Sequence, residues 1–245
     1  KKFEEFLGEM ELNGKTVLVT GSSKGIGKEI AKEFAKKGSN VVLCSRNEQE
    51  LGQTKQEIVD LNVKVLAIKT DVSKEEEVKN LIEKTIEEFG KIDVLVNNAG
   101  VGYFKDVVDL ETGKFDEIIN TNLRGVFLVC KHALKHMYKE GKGHVVNISS
   151  LAGKNPFEKA SAYCASKFGL NGFTECLFLE AREKGVKVSY VMPGSVLTGF
   201  SNKEGYDSEK MLKDIDVARA VVEIVEHDEN SLVRNIEISS SKRPY

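Results

Sequence analysis

Three side chains in the second half of the chain have the types and spacing needed to move a proton onto an oxygen atom. Tyr163 and Lys167 lie four residues apart in the run SAYCASKFG, and Ser150 lies thirteen residues before Tyr163. On a helix, Tyr163 and Lys167 share one face. A free tyrosine, with a pKa of about 10, is a weak acid, and a lysine ammonium one turn away favours the phenolate and lowers that pKa. The pattern predicts reduction of a carbonyl group, or the reverse oxidation of an alcohol.

Ser150 would complete this group from a neighbouring strand. It directly follows the apolar run HVVNIS, so we expect it at the carboxyl end of a strand, where open α/β sheets bind ligands. From that position its hydroxyl can donate a hydrogen bond to a substrate oxygen as negative charge develops there. The alternative interpretation is an ordinary pair of residues on a helix surface together with a turn serine.

A glycine-rich turn, TGSSKGIG (residues 20–27), lies near the start of the chain. The β-branched run KTVLVT precedes it and predicts a strand, and apolar residues at helical spacing follow it. Gly21, Gly25 and Gly27 therefore fall where the backbone must turn sharply and approach a diphosphate, with the first helical amides directed at the anion. The spacing G-x-x-x-G-x-G is not the commoner dinucleotide-binding spacing, and the alternative is a purely structural glycine turn.

The end of the second predicted strand, NVVLCSRN, indicates which dinucleotide is preferred. NAD sites place a carboxylate there to bind the ribose 2′-hydroxyl, whereas this chain has Ser45 and Arg46. A guanidinium suits a 2′-phosphate through paired, charge-assisted hydrogen bonds, and Lys24 can reach the same corner. The sequence predicts NADP(H), with NAD(H) less favoured; the alternative is that both cations are solvated surface groups.

On these motifs the chain resembles the short-chain dehydrogenase/reductase family, from about Leu12 to the last predicted strand. The run NNAG (residues 97–100) resembles the family segment that packs beside the adenine ribose. Asn122, in NTNLRG, matches the asparagine that supports a helix bend and a water-linked proton relay in that family. Asp71 and Val72 match the pair that borders the adenine.

Another segment, PGSVLT (residues 193–198), matches the family segment that contacts the nicotinamide amide. The positive nicotinamide of the oxidised cofactor would act together with Lys167 to lower the pKa of Tyr163. The resemblance implies a catalytic tetrad of Asn122, Ser150, Tyr163 and Lys167. It also implies cofactor contacts from Gly21, Ser23, Lys24, Gly25, Ile26, Gly27, Ser45, Arg46, Asp71, Val72, Asn98, Ala99, Gly100, Tyr163, Lys167, Pro193, Gly194, Val196 and Thr198.

Two departures from the family pattern concern the substrate. The segment after Thr198, GFSNKEGYDSEK, is short and polar where the family carries its substrate-covering helices, and the ending LVRNIEISSSKRPY lacks the glycine-rich pattern of acyl-carrier-protein reductases. We expect a carbonyl reductase or alcohol dehydrogenase acting on a small molecule. A 3-oxoacyl-ACP or 3-oxoacyl-CoA reductase is the alternative, and a catalytically silent NADP(H)-binding sensor or scaffold is the alternative of another class.

Composition argues against several other classes of function. The chain has 245 residues, 40% of them hydrophobic, and a net charge of −2, which provides no field to attract nucleic acid. No run reaches the roughly 18 apolar residues of a membrane helix, and the first residues lack the apolar core of a signal peptide, so we expect a cytoplasmic protein. The four cysteines form no C-x-x-C pair, and we expect neither disulfides nor a metal site.

The elements that must position the site alternate regularly along the chain. Apolar strand-like runs separated by helical patterns recur near residues 15–20, 40–44, 63–69, 92–96, 143–148, 186–191 and 232–238. This alternation predicts an α/β fold, a single Rossmann-type doubly wound sheet of seven mainly parallel strands with helices on both faces, over residues 12–245. Residues 1–11 read as a short amphipathic extension.

Two predicted helices, roughly 113–139 and 161–184, carry more apolar residues than one covering face requires. In the family the equivalent helices pair with a second subunit, so the resemblance implies a homo-oligomer, either a dimer or a homotetramer. The alternative interpretation is a thick core within one chain.

Overall fold

The structure is a computed structural model that describes residues 11–198, 200, 207–227 and 230–242. Within these residues seven strands form one sheet in the order β3-β2-β1-β4-β5-β6-β7, with every neighbouring pair parallel. The strands are β1 (Thr16–Thr20), β2 (Asn40–Ser45), β3 (Val65–Lys69), β4 (Val94–Asn97), β5 (Gly143–Ile148), β6 (Val186–Pro193) and β7 (Asn235–Ile238). The predicted doubly wound parallel sheet is confirmed.

Helices cover both faces of this sheet. They are α1 (Gly25–Lys36), α2 (Glu48–Val59), α3 (Glu75–Phe89), α4 (Thr112–Ile119), α5 (Val126–Glu140), α6 (Ser161–Arg182) and α7 (Asp214–Glu226). One apolar cluster holds residues of α1, α2 and α7, and a second holds residues of α3, α5 and α6. Val17 and Val19 of β1 belong to the first cluster and Leu18 to the second, as expected for alternating side chains of a strand buried on both faces.

The strand order places a crevice next to β1. The chain runs outward from β1 to β3 and then crosses back to β4, which pairs with the other side of β1. At such a switch point the loops after the two strands diverge and leave room for a ligand above their carboxyl ends. The glycine-rich turn follows β1 and the NNAG segment begins at the last residue of β4, so both reach this crevice.

The first of the two predicted long helices is interrupted. A π-helical segment, Asn120–Gly125, separates α4 from α5. Gly125 packs against the loop after β3 here, since a Cβ at this position would come within 2.9 Å of the Val72 side chain. The second predicted helix corresponds to α6. Residues 1–10 of the predicted extension, and residues 199 and 201–206 of the predicted substrate segment, lie outside the described part of the chain.

Candidate active site

A cleft of about 1160 Å³ opens above the carboxyl ends of the strands. It is lined by every residue predicted from the sequence to bind a cofactor or to act in catalysis, with two exceptions, Gly27 and Asn122. Segments far apart in sequence therefore meet on one rim of the sheet. The two exceptions lie behind the wall of the cleft, where they make packing and hydrogen-bonding contacts.

The glycine-rich turn is fastened to the segment after β4. The Thr20 hydroxyl accepts hydrogen bonds from the backbone amides of Asn98 and Ala99 at 2.9 and 3.0 Å. In return, the Asn98 side-chain amide donates to the carbonyls of Thr20 and Gly21 at 3.0 and 3.1 Å. Thr20 was not among the predicted site residues, although a hydroxyl at the end of β1 was visible in the sequence.

Gly27 allows the close approach of the glycine-rich turn to the segment after β4. A Cβ at this position would lie 2.3 Å from the Asn98 side-chain nitrogen and 2.4 Å from the Gly21 carbonyl oxygen. Such separations are far below normal contact, so only glycine lets α1 approach the NNAG segment. The sequence assigned Gly27 to the cofactor, whereas its observed role is close packing behind the cleft.

The start of α1 is suited to an anion. Its N-cap residue, Lys24, makes no side-chain capping hydrogen bond, and Gly25 and Ile26 line the cleft. Gly21 and Gly25 have φ values of +64° and +55°, which non-glycine residues rarely adopt. The first amides of a helix lack intrahelical partners and carry the positive end of the helix dipole. This turn can therefore hold a phosphate group.

Ser150, Tyr163 and Lys167 line the same cleft. The Lys167 ammonium is buried and donates a hydrogen bond to the Ile148 carbonyl at 2.9 Å. Its nitrogen lies 5.8 Å from the centre of the Tyr163 ring. Ser150 follows β5, as predicted, and its hydroxyl accepts a hydrogen bond from the Ala152 amide at 3.1 Å. The strand end and the helix thus place a hydroxyl, a phenol and an ammonium group together.

The protonation of this group is set mainly by burial. Burial raises the pKa of Tyr163 to about 12, although a hydrogen bond with Ser150 acts in the opposite direction. Burial also lowers the pKa of Lys167 to about 8. The sequence predicted that the lysine would lower the pKa of the tyrosine. Within the chain itself desolvation outweighs that effect, so near neutral pH the phenol is a protonated donor.

Asn122 braces the site from behind. Its side-chain oxygen accepts from the Val101 amide at 2.8 Å, and its side-chain nitrogen donates to the Val101 carbonyl at 2.9 Å and to the Ser166 hydroxyl at 3.1 Å. The Ser166 hydroxyl in turn donates to the Tyr163 carbonyl at 2.7 Å. These bonds tie the loop after β4 to the helix that carries Tyr163. The predicted proton relay through Asn122 remains a prediction.

Two cations occupy the far corner of the cleft, and each faces a glutamate. Lys24 lies 3.6 Å from a carboxylate oxygen of Glu50, and Arg46 lies 3.2 Å from one of Glu117. Glu117 also accepts hydrogen bonds from Tyr103 and Lys114. Burial opposes ionisation of Glu117, but these three hydrogen bonds outweigh it and lower its pKa. Sequence reasoning found the cations and missed both carboxylates, because no motif links them to the glycine turn.

Aromatic residues near Tyr163 were also missed. Phe104, Phe157 and Phe200 all line the cleft. They belong to three separate segments, after β4, β5 and β6, so no spacing in the sequence signals that they meet.

Comparison with known proteins identifies the family of this chain. Residues 15–209 match the family model described as short chain dehydrogenase. Glucose 1-dehydrogenase 2 of Bacillus subtilis is 38% identical over 210 residues, which cover 84% of this chain and 81% of that protein.

Two solved structures share the fold over nearly the whole chain. A metagenomic short-chain oxidoreductase in complex with NADP has a TM-score of 0.85 at 32% identity, covering 95% of this chain and 100% of the other. An alcohol dehydrogenase from the archaeon Thermococcus sibiricus, complexed with 5-hydroxy-NADP, has a TM-score of 0.88 at 30% identity, with the same two coverages. The chain belongs to the short-chain dehydrogenase family of oxidoreductases.

Proposed function

We propose that this protein transfers a hydride between NADP(H) and a small carbonyl compound or the corresponding secondary alcohol. The observation that carries the proposal is the meeting of Ser150, Tyr163 and Lys167 on the cleft whose other end presents the glycine turn. A phenol, a hydroxyl and an ammonium group suit proton transfer to a substrate oxygen. Two similar proteins of known structure are complexed with NADP or 5-hydroxy-NADP, which supports the choice of dinucleotide.

The residues of the cleft fit a dinucleotide. Gly25 and Ile26 present the uncapped start of α1 to a diphosphate. Lys24 and Arg46 would hold the 2′-phosphate, while Asp71 and Val72 would border the adenine. The segment of Pro193, Gly194, Val196 and Thr198 would face the nicotinamide, with Lys167 near its ribose. When bound, the nicotinamide supplies or accepts the hydride.

The chain's own groups handle the proton. With a pKa of about 12, the Tyr163 phenol is protonated at neutral pH and can donate to the substrate oxygen during reduction. The Ser150 hydroxyl donates a hydrogen bond to the same oxygen as it gains charge. Lys167, which is mostly protonated below its pKa of about 8, stabilises the phenolate that forms. Asn122 holds the helix carrying Tyr163 in place.

The test is oxidation of NADPH by the purified protein against diketones, aldehydes, ketosteroids, sugars and acetoacetyl thioesters, with NADH in parallel. We expect turnover of a ketone or aldehyde with NADPH, and slower turnover with NADH. Turnover confined to acetoacetyl thioesters would favour the 3-oxoacyl reductase instead. Tight NADPH binding without oxidation of any compound, and without reduction of NADP⁺ by the corresponding alcohols, would contradict the proposal and favour a silent binding protein.

A further inference from the structure

Two phenylalanine rings pack against the ring of Tyr163, and a third phenylalanine packs against one of them. The ring centre of Tyr163 lies 5.5 Å from that of Phe104, in an edge-to-face arrangement, and 5.8 Å from that of Phe200. Phe157 extends this wall, with its ring centre 5.9 Å from that of Phe104. We call Phe104, Phe157 and Phe200 the aromatic wall. It borders the space that a reacting carbonyl must enter to reach Tyr163.

Two rings of the aromatic wall have much uncovered apolar surface. Phe157 is 48% exposed and Phe200 is 42% exposed, although both line a concave cleft. Apolar surface in a cleft is the usual means by which a protein binds an apolar part of a ligand. Covering such a ring with another ring buries area and adds the preference of aromatic pairs for tilted or offset contact.

A glycine lets two rings of the wall come together. A Cβ on Gly102 would lie 2.8 Å from a ring carbon of Phe200 and 3.1 Å from one of Phe104. Any larger residue would push these rings away from their present positions. The absence of a side chain at residue 102 is therefore part of how the wall is built.

Charged groups lie elsewhere in the cleft. Among its described lining residues, the charged ones other than Lys167 are Lys24, Arg46, Glu50, Asp71 and Lys242, which belong to the regions after β1, β2, β3 and β7. The wall around Tyr163 comes from the segments after β4, β5 and β6. Lys105 and Lys159, together with Asp106 and Asp109, line a separate pocket that also borders Phe104. Within the cleft, a carboxylate or phosphate beside the wall would find no cation among the described lining residues of these three segments, and the hydroxyls of a sugar would face phenyl rings.

We propose that the substrate is an uncharged ketone or aldehyde that carries an aryl group directly on the carbonyl carbon. The ring would lie against Phe157 and Phe104 while the carbonyl oxygen faces Tyr163 and Ser150. This inference rests on the proposed function and adds the class of substrate. A binding surface made of phenyl rings discriminates against polar analogues, because their hydroxyl or charged groups lose water and gain no partner.

The experiment uses four methyl ketones that differ only in the second substituent: acetophenone, cyclohexyl methyl ketone, hydroxyacetone and acetoacetate. Initial rates of NADPH oxidation give kcat/KM for each ketone. Because these ketones differ in intrinsic reactivity, the informative quantity is how a substitution in the wall changes the ratio between two ketones. The difference in intrinsic reactivity cancels when this ratio is compared between the variant and the unsubstituted protein.

Phe157→Ala is the main variant, since the exposed ring can be removed with little effect on folding. We expect it to lower kcat/KM for acetophenone by roughly tenfold, mostly through KM, because the ring contact forms before the reaction. The value for hydroxyacetone should change by less than about twofold. Phe157→Leu, which keeps an apolar side chain, should fall between the two proteins. Phe115→Ala removes a phenylalanine on α4 that is 43% exposed and does not line the cleft, and it should match the unsubstituted protein.

Equal losses for acetophenone and hydroxyacetone in Phe157→Ala, or no loss for either, would overturn the aryl subsite while the proposed function stands. If no ketone is reduced, saturation-transfer NMR of acetophenone in the presence of NADP⁺ shows whether the ketone binds at the subsite. Binding that Phe157→Ala abolishes would support the subsite, and the wider panel of carbonyl compounds and alcohols described above would then decide the proposed function. Absence of binding to the unsubstituted protein would overturn the subsite.

Discussion

The two ends of the cleft handle charge in opposite ways. At the reacting end, Lys167 is buried, and no described carboxylate lies within ion-pairing distance of it; its hydrogen-bond partner is the Ile148 carbonyl. At the far corner, the Lys24 and Arg46 side chains are 75% and 55% exposed, and each faces a glutamate. At the buried end, burial lowers the pKa of the lysine proposed to serve the chemistry and so disfavours its charged form. The exposed end holds weak ion pairs that a phosphate can replace.

The sharpest test of the reacting end is Tyr163→Phe. It removes the proposed proton donor and keeps the ring that packs against Phe104 and Phe200. We expect kcat to fall by at least about a thousandfold, within the range for loss of a general acid, while NADPH affinity changes less than about twofold. Steady-state rates and NADPH titration measure the two quantities. Turnover near that of the unsubstituted protein would show that another group donates the proton.

Lys167→Met tests whether the buried charge costs stability. The folded pKa of about 8 lies below the ordinary value of 10.5, so Lys167 disfavours folding below pH 8, and this cost disappears as the pH rises towards 10.5. The free energy of unfolding of the unsubstituted protein should therefore rise relative to Lys167→Met between pH 8 and 10. The expected size is of the order of 2–3 kcal/mol.

Urea titrations of the two proteins at several pH values measure this difference. Cys44 and Cys130 have pKa values raised by burial to about 12, which makes stability fall as pH rises above their ordinary value of 9.0. Both cysteines are present in both proteins, so their effect cancels in the comparison. Parallel curves would mean that the lysine carries no such cost.

Arg46→Asp tests the far corner. The change removes a cation from the proposed 2′-phosphate site and supplies a carboxylate for a ribose hydroxyl. We expect the ratio of kcat/KM for NADPH over NADH to fall by about ten- to a hundredfold, the value of one charge-assisted hydrogen bond. An unchanged ratio would remove Arg46 from the cofactor site. The value of kcat at saturating NADH should stay the same, because the substitution lies far from Tyr163.

Glu117→Gln tests the weak pairing at that corner and has the smallest expected effect. It removes a charge that competes with a phosphate for Arg46, so KM for NADPH should fall by about two- to fivefold, as expected for an exposed ion pair. KM for NADH should not change. Glu111→Gln removes an exposed carboxylate at the start of the same helix and is the control. A rise in KM for NADPH would mean that Glu117 orients the guanidinium instead.

Much of the fold, and part of the candidate site, could be predicted from local patterns in the sequence. The central strands are buried on both faces and give continuous apolar runs, whereas the edge strands β3 and β7 are only partly buried. Strand-like runs nevertheless located all seven strands that the structure describes. The placing of Tyr163 and Lys167 on one face of a helix follows from their spacing of four residues. The position of Ser150 could be predicted because it follows a strand, and the carboxyl ends of the strands lie at the edge of the sheet that binds ligands.

Contacts that depend on packing could not be predicted. Arg46 and Glu117 are separated by 71 residues, and no local pattern couples them. The rings of the aromatic wall meet only because three loops converge on one rim. The rise in the pKa of Tyr163 within the chain alone could not be anticipated, because burial depends on the whole fold around Tyr163 and the sequence shows only the neighbouring lysine. The lower pKa expected beside the positive nicotinamide of the oxidised cofactor stays a prediction.

The junction between Thr20 and Asn98 has a consequence for the order of folding. Its hydrogen bonds join residues 78 positions apart, so the first strand, turn and helix cannot form the phosphate-binding turn in its final shape by themselves. The junction requires β4 to be paired with β1. Contacts of such long sequence separation form late, because loop closure costs entropy before the contact repays it. A dinucleotide would therefore bind preferentially to chains in which β4 has already paired with β1. A growing polypeptide would gain its affinity for the dinucleotide in a single step, when this pairing forms.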